Sequence, residues 1–132
     1  FKDALLFFLL KNDIFYLMNK NFFKIFAVLI WLLVIFSLSS IPGKAYPQAA
    51  FDYGVFAHLA EYFVLGFLVV RTLGKYTFKK LVFTIIFCLL FAIFDEIYQS
   101  FVPFRDVSVL DWLFDTMGAL LGMIGFWFKK KV

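Results

Sequence analysis

Five carboxylates, one histidine and one arginine recur at spacings that would gather them in one place. His58 and Glu61 lie three residues apart, and Tyr62 follows four after His58, so on a helix all three share a stripe. Asp95 and Gln99 stand in the i, i+4 relation with Glu96 on the neighbouring stripe, and Asp111 and Asp115 repeat the spacing. Arg105 lies between the last two groups. Carboxylates facing an imidazole suit proton transfer or the binding of a cation. Glu61 and Asp95 are the candidate general acid/base pair, with Arg105 placed to hold an anionic group of a substrate. His58, Tyr62, Glu96, Gln99, Asp111 and Asp115 complete a candidate polar pocket, and Ser37, Ser39 and Ser40 are placed to line it too. His58, Glu61 and Asp95 are the candidate ligands for a divalent metal, because His-x-x-Glu on a helix recurs in carboxylate metal sites. No Ser–His–Asp arrangement assigns a nucleophile.

Each residue also has a structural reading. Asp111 can complete a Ser108-Val-Leu-Asp111 capping box, and Asp115 can complement a helix dipole. Asp95 or Glu96 can pair with Arg105 to pin a short loop. A lone His58 is most often a structural hydrogen-bonder. Together, however, these groups cannot all stay ionised in a low-dielectric setting: some must be protonated, paired or bound to a cation.

The elements that would carry them are apolar and long. The chain has 132 residues, 64% of them hydrophobic and 22 of them Phe, more than a soluble domain of this size can hide. A membrane-spanning helix needs about 20 apolar residues. Four windows qualify: Phe22–Ile41, Val55–Leu73, Leu81–Val102 and Val109–Phe128. The first ends at Ser39-Ser40-Ile41-Pro42-Gly43, since Pro and Gly stop a helix. The expected fold is all-α, a four-helix transmembrane bundle, with the second and third helices an antiparallel pair across the short loop Gly74–Lys80. Helices two, three and four then place their polar residues at the same depth on the same side. Glu61 would sit roughly 9 Å below the end of its helix at ~1.5 Å per residue.

Charge orients the bundle. Lys2, Lys11, Lys20, Lys24, Arg71, Lys75, Lys79, Lys80, Lys129, Lys130 and Lys131 flank one side. Asp52, Glu61, Asp95, Glu96, Asp106, Asp111 and Asp115 crowd the other, where Lys44 and Arg105 are the only bases. The Lys/Arg bias places both termini in the cytoplasm and the acidic cluster at the outer face of a plasma membrane. The net charge of +4 taken alone would suggest nucleic acid, but bases at membrane flanks point to anionic headgroups and to no nucleic acid. Cys88, the only cysteine, stands mid-helix among apolar residues and reads as packing. Gly118 and Gly122, with Gly125 beyond, form a small-xxx-small stripe that explains close helix packing or a homo-oligomer. Residues 1–17 are read as an N-terminal extension to an 18–132 transmembrane domain. They are an interfacial segment, a truncated element, or sequence upstream of a start at Met18; their apolar stretch Ala4 to Leu10 is too short to span.

These residues resemble the VanZ-like family of membrane proteins. Ser39-Ser40-Ile41-Pro42 fits its Ser-Ser-x-Pro element, and His58, Glu61, Tyr62, Leu65 and Gly66 fit His-x-x-Glu-Tyr-x-x-Leu-Gly. Asp95, Glu96, Gln99, Phe101, Pro103 and Arg105 fit Asp-Glu-x-x-Gln-x-Phe-x-Pro-x-Arg, and Asp111, Asp115 and Gly118 fit the last element. The match runs from Met18 to Phe128. Two positions depart from it. Tyr98 stands where members often have His, which removes a candidate nitrogen ligand. Phe104 stands where many have Gly, so the turn carrying Arg105 is expected to differ. The resemblance implies a bacterial integral membrane protein with a link to low-level resistance to the glycopeptide teicoplanin. The expected ligand is then a lipid-linked envelope molecule or a lipophilic glycopeptide. A small proton-coupled transporter and a purely structural, partner-binding bundle are the alternatives.

Overall fold

A computed structural model describes residues 2–43, 54–74 and 77–131, and the side chains of 21–43, 54–74 and 77–128 within them. Lys44, Asp52 and Lys75 lie outside the described residues. The described chain is four helices: α1 Lys2–Ser39, α2 Gly54–Leu73, α3 Phe78–Gln99 and α4 Val109–Lys131. Each contains a window long and apolar enough to cross a membrane: Asn21–Ser39, Gly54–Leu73, Phe78–Gln99 and Val109–Phe128. The chain is therefore an all-α, multi-pass membrane protein. α1 continues without a break from Lys2 through Met18, so the backbone marks no boundary between an extension and the first span.

The bundle carries its large apolar side chains outward and its polar ones inward. Phe78, Phe101 and Val109 are more than two-thirds exposed, and the exposed apolar surface continues through Phe22, Leu33, Leu90 and Phe128. Water would not tolerate such a surface, whereas lipid matches it. Inside, Ile35, Tyr62, Leu65, Val69, Cys88, Ala92 and Ala119 form the apolar core. Ser39, His58, Asp95, Glu96, Gln99 and Asp115 are buried at the end where α1 and α3 finish and α2 and α4 begin. A smaller cavity of about 210 Å³ lies at the opposite, basic end, between Lys24 of α1 and Arg71 and Thr72 of α2.

The tightest contact joins α2 to α4, a parallel pair, and not the sequence neighbours α2 and α3. Glycine is the reason. A Cβ on Gly118 would collide with the Leu59 carbonyl, one on Gly122 with the Phe63 carbonyl, and one on Gly66 with the Ala119 backbone. The two helices thus touch backbone to backbone in step, as small residues allow in membranes. The stripe read as close helix packing or a homo-oligomer is packed against α2 of the same chain.

α1 is held crosswise. Trp31 Nε1 donates to the Glu61 carbonyl at 2.8 Å, and Arg105 Nε and Nη2 donate to the Ile41 and Leu38 carbonyls at 3.2 and 3.1 Å. A cation on the orphan carbonyls at a helix C-terminus satisfies them and meets the negative end of the dipole. Phe104 precedes this arginine with φ 61°. A bulky residue thus occupies a left-handed turn that a glycine would take freely.

Candidate functional site

Backbone contact along the glycine stripe brings the first turns of α2 and α4 together, and His58 meets Asp115 there. His58 Nδ1 lies 3.0 Å from Asp115 Oδ1, and Nε2 lies 3.9 Å from Asp111 Oδ2. Asp115 is wholly buried and His58 nearly so. A polar pair in such surroundings contributes more than at a surface, but only while its geometry holds.

α3 brings the second set. Asp95 Oδ2 accepts from Gln99 Nε2 at 3.0 Å, as the i, i+4 spacing predicts. The same amide nitrogen reaches Ser39 Oγ at 3.3 Å, and Gln99 Oε1 accepts from Arg105 Nη1 at 2.9 Å. Arg105 therefore connects to Asp95 by way of Gln99, which fixes the amide's orientation: oxygen to the guanidinium, nitrogen to the carboxylate.

Glu96 does something the sequence did not indicate. Its Oε2 accepts the Ser108 backbone N–H at 2.9 Å. The capping box at α4 is consequently half formed: Ser108 Oγ accepts from the Asp111 N–H at 3.1 Å, as expected, but the reciprocal bond comes from α3. Asp111 is thereby released from capping and faces the cavity beside His58. Glu96 holds the loop through the Ser108 N–H and not through Arg105, which bonds to backbone carbonyls of α1 and to Gln99.

Between these groups lies a cavity of about 590 Å³. Its lining combines the polar His58, Glu61, Gln99, Arg105, Asp106 and Asp111 with the apolar Leu38, Val55, Ala57 and Phe104. No side-chain hydrogen bond holds the Glu61 carboxylate among the described residues, so it stands in the cavity as an available acceptor. Ser39 reaches the cavity, whereas Ser37 and Ser40 bond back to carbonyls of α1 at 2.7 and 2.6 Å. Tyr62 is fully buried in the core, its hydroxyl without a hydrogen-bond partner. Asp106 and Ser108, which sequence reasoning did not place in the pocket, line it because the α3–α4 turn folds over its mouth.

The metal expectation needs two corrections. The ligand-type atoms that approach within 4.8 Å of one another among the described residues belong to His58, Glu96 and Asp115, not to His58, Glu61 and Asp95. Glu61 and Asp95 share the end of the bundle, but Glu61 turns into the cavity and Asp95 is taken by Gln99. Tyr98 faces α1, with its hydroxyl 2.9 Å from Ser40 Oγ and its ring 4.3 Å from that of Phe36. The lack of histidine at that position therefore takes nothing from the His58 cluster.

A family model described as VanZ/LLP1 matches residues 4–130, nearly the whole chain and starting ahead of Met18. No curated protein and no solved structure matches significantly.

Proposed function

The chain belongs to the VanZ/LLP1 family, and we propose from this that it is a cell-envelope membrane protein whose cavity takes the polar head of an amphiphile. The observation that carries the reading is the cavity itself. It holds about 590 Å³ at the ends of membrane-spanning helices and is lined by carboxylates and Arg105 together with apolar side chains. A head with cationic or hydroxyl groups would meet Glu61 and Asp111, while Arg105 would attract an anionic group. The attached chains would remain in lipid against the exposed phenylalanines. The Lys/Arg distribution supports a cavity facing outward from a bacterial plasma membrane, with both termini inside. That is where a lipid-linked envelope precursor or the lipophilic glycopeptide teicoplanin would reach it. If the site is catalytic, Glu61 is the group free to exchange a proton with the bound head, and Asp95, held by Gln99, is its candidate partner.

The test is teicoplanin susceptibility of a sensitive bacterium expressing wild type or Glu61→Gln, at membrane levels matched by immunoblot. Glutamine keeps the shape and removes the charge. Protection by wild type but not by the variant is expected. Equal protection by both would show that the cavity carboxylate does not work, and protection by neither would end the antibiotic assignment.

A further inference from the structure

We propose that His58, Glu96 and Asp115 form a binding site for one divalent first-row cation, such as Zn²⁺ or Mn²⁺, between α2, α3 and α4. Each helix supplies one donor, and the donor atoms lie within 4.8 Å of one another. The residues are 8%, 5% and 0% exposed. Two carboxylate oxygens, Glu96 Oε1 and Asp115 Oδ2, are buried without any hydrogen-bond partner. Their other oxygens are already held, one by the Ser108 N–H and one by His58. A buried carboxylate oxygen with no donor is costly, and two from different helices beside one imidazole call for a shared positive charge.

Geometry and charge agree. Adjacent ligands about 2.1 Å from one ion lie about 3.0–3.4 Å apart, so donor atoms within 4.8 Å of one another close around an ion with each atom moving by about an ångström or less. The 3.0 Å between His58 Nδ1 and Asp115 Oδ1, a hydrogen bond without the ion, is also the spacing of adjacent octahedral ligands, so the ion would replace the proton between the two groups. A divalent ion with two carboxylates and a neutral imidazole carries no net charge, the least costly state in hydrocarbon. One nitrogen and two oxygens suit zinc, manganese or iron better than the all-oxygen preference of calcium or magnesium. Asp111 Oδ2 stands on the ring's far side, 3.9 Å from His58 Nε2, too far for a hydrogen bond but near enough for its charge to favour the proton on Nε2. Nδ1 is then the ligating nitrogen.

Ion retention is measured without any amphiphile, so the proposal stands or falls apart from the antibiotic reading. The full chain, free of any histidine tag, is purified in detergent, stripped with EDTA, incubated with Zn²⁺ or Mn²⁺ and desalted. Metal is then counted by mass spectrometry. About one ion per chain is expected for wild type and for Cys88→Ala, and less than a tenth of that for Asp115→Asn and Glu96→Gln. Retention at the wild-type level by both carboxylate variants, or none by wild type, would overturn the site. Because a variant can fail to fold, thermal unfolding of stripped wild type is followed alongside. Its midpoint should rise with added Zn²⁺ or Mn²⁺ and not with Mg²⁺. An unmoved midpoint would equally overturn the site.

Discussion

Replacing Gly118 by Ala tests whether backbone contact between α2 and α4 builds the site. The added Cβ would lie 3.0 Å from Leu59 C and from Phe63 N and closer still to the Leu59 carbonyl oxygen. None of these is a flexible side chain that can step aside, so the helices must separate. Restoring an ordinary contact of about 3.4 Å or more needs several tenths of an ångström at the nitrogen and more at the oxygen. Overpacking of this kind costs about 1–3 kcal/mol. One turn away, the 3.0 Å His58–Asp115 contact would open towards the limit of a hydrogen bond, forfeiting roughly another 1.5–3 kcal/mol if the pair is charged. Against this, Ala favours a helix over Gly by about 0.8–1 kcal/mol. The clash and the lost contact win, and the net destabilisation is about 1.5–5 kcal/mol. Gly125→Ala is the matched control: same helix, same chemistry, but only the Phe63 ring at 3.5 and 3.7 Å, an ordinary contact. It should be neutral or stabilising by up to about 1 kcal/mol. The assay is reversible unfolding of both variants in mixed micelles against denaturing detergent. A Gly118→Ala protein as stable as Gly125→Ala would refute the argument, because the helix approach would then not be limited by backbone contact.

Two further substitutions read local features. Phe104→Gly should raise stability by up to about 1 kcal/mol, since it removes left-handed strain of roughly 1–2 kcal/mol and adds some unfolded-state freedom. A lower unfolding midpoint would show that the ring's contacts outweigh the strain. Tyr62→Phe removes a fully buried hydroxyl with no hydrogen-bond partner, so the protein without ligand should gain about 1 kcal/mol or more; a loss by the same unfolding assay would mean that the hydroxyl is partnered.

The spans and the polar end were legible in the sequence because the bilayer imposes both. Apolar length is set by hydrocarbon thickness, and acidic residues at the ends of three helices must share a level once those helices cross together. The pairing inside the cluster was not legible, because spacing gives a stripe on one helix but not its rotation against the next. His58 and Glu61 do share a stripe, yet His58 turns to α4 and Glu61 to the cavity. Ser108-x-x-Asp111 announced a helix start correctly, but no local pattern says that Glu96, twelve residues earlier, takes the Ser108 N–H. Likewise Gly118 and Gly122 announced a close approach without naming its partner, and a helix of the same chain fills that place as well as a second copy would.

The distribution of buried polar groups also bears on transport. Among the described residues, every buried carboxylate and the buried histidine lie at the end that α2 and α4 share as their start. Below it the core is Ile35, Leu65, Val69, Cys88 and Ala92, and the one buried polar residue there, Thr84, spends its hydroxyl on the Lys80 carbonyl at 2.9 Å. From Tyr62 to Thr72 is ten residues of helix, about 15 Å at 1.5 Å per residue. A proton or solute leaving the cavity for the basic end would cross most of that distance without a side chain to carry it. Relays in membranes place ionisable groups at successive depths, and this bundle places them at one. The buried carboxylates and histidine of the described residues are thus confined to one end of the bundle, the end on which the cavity lies.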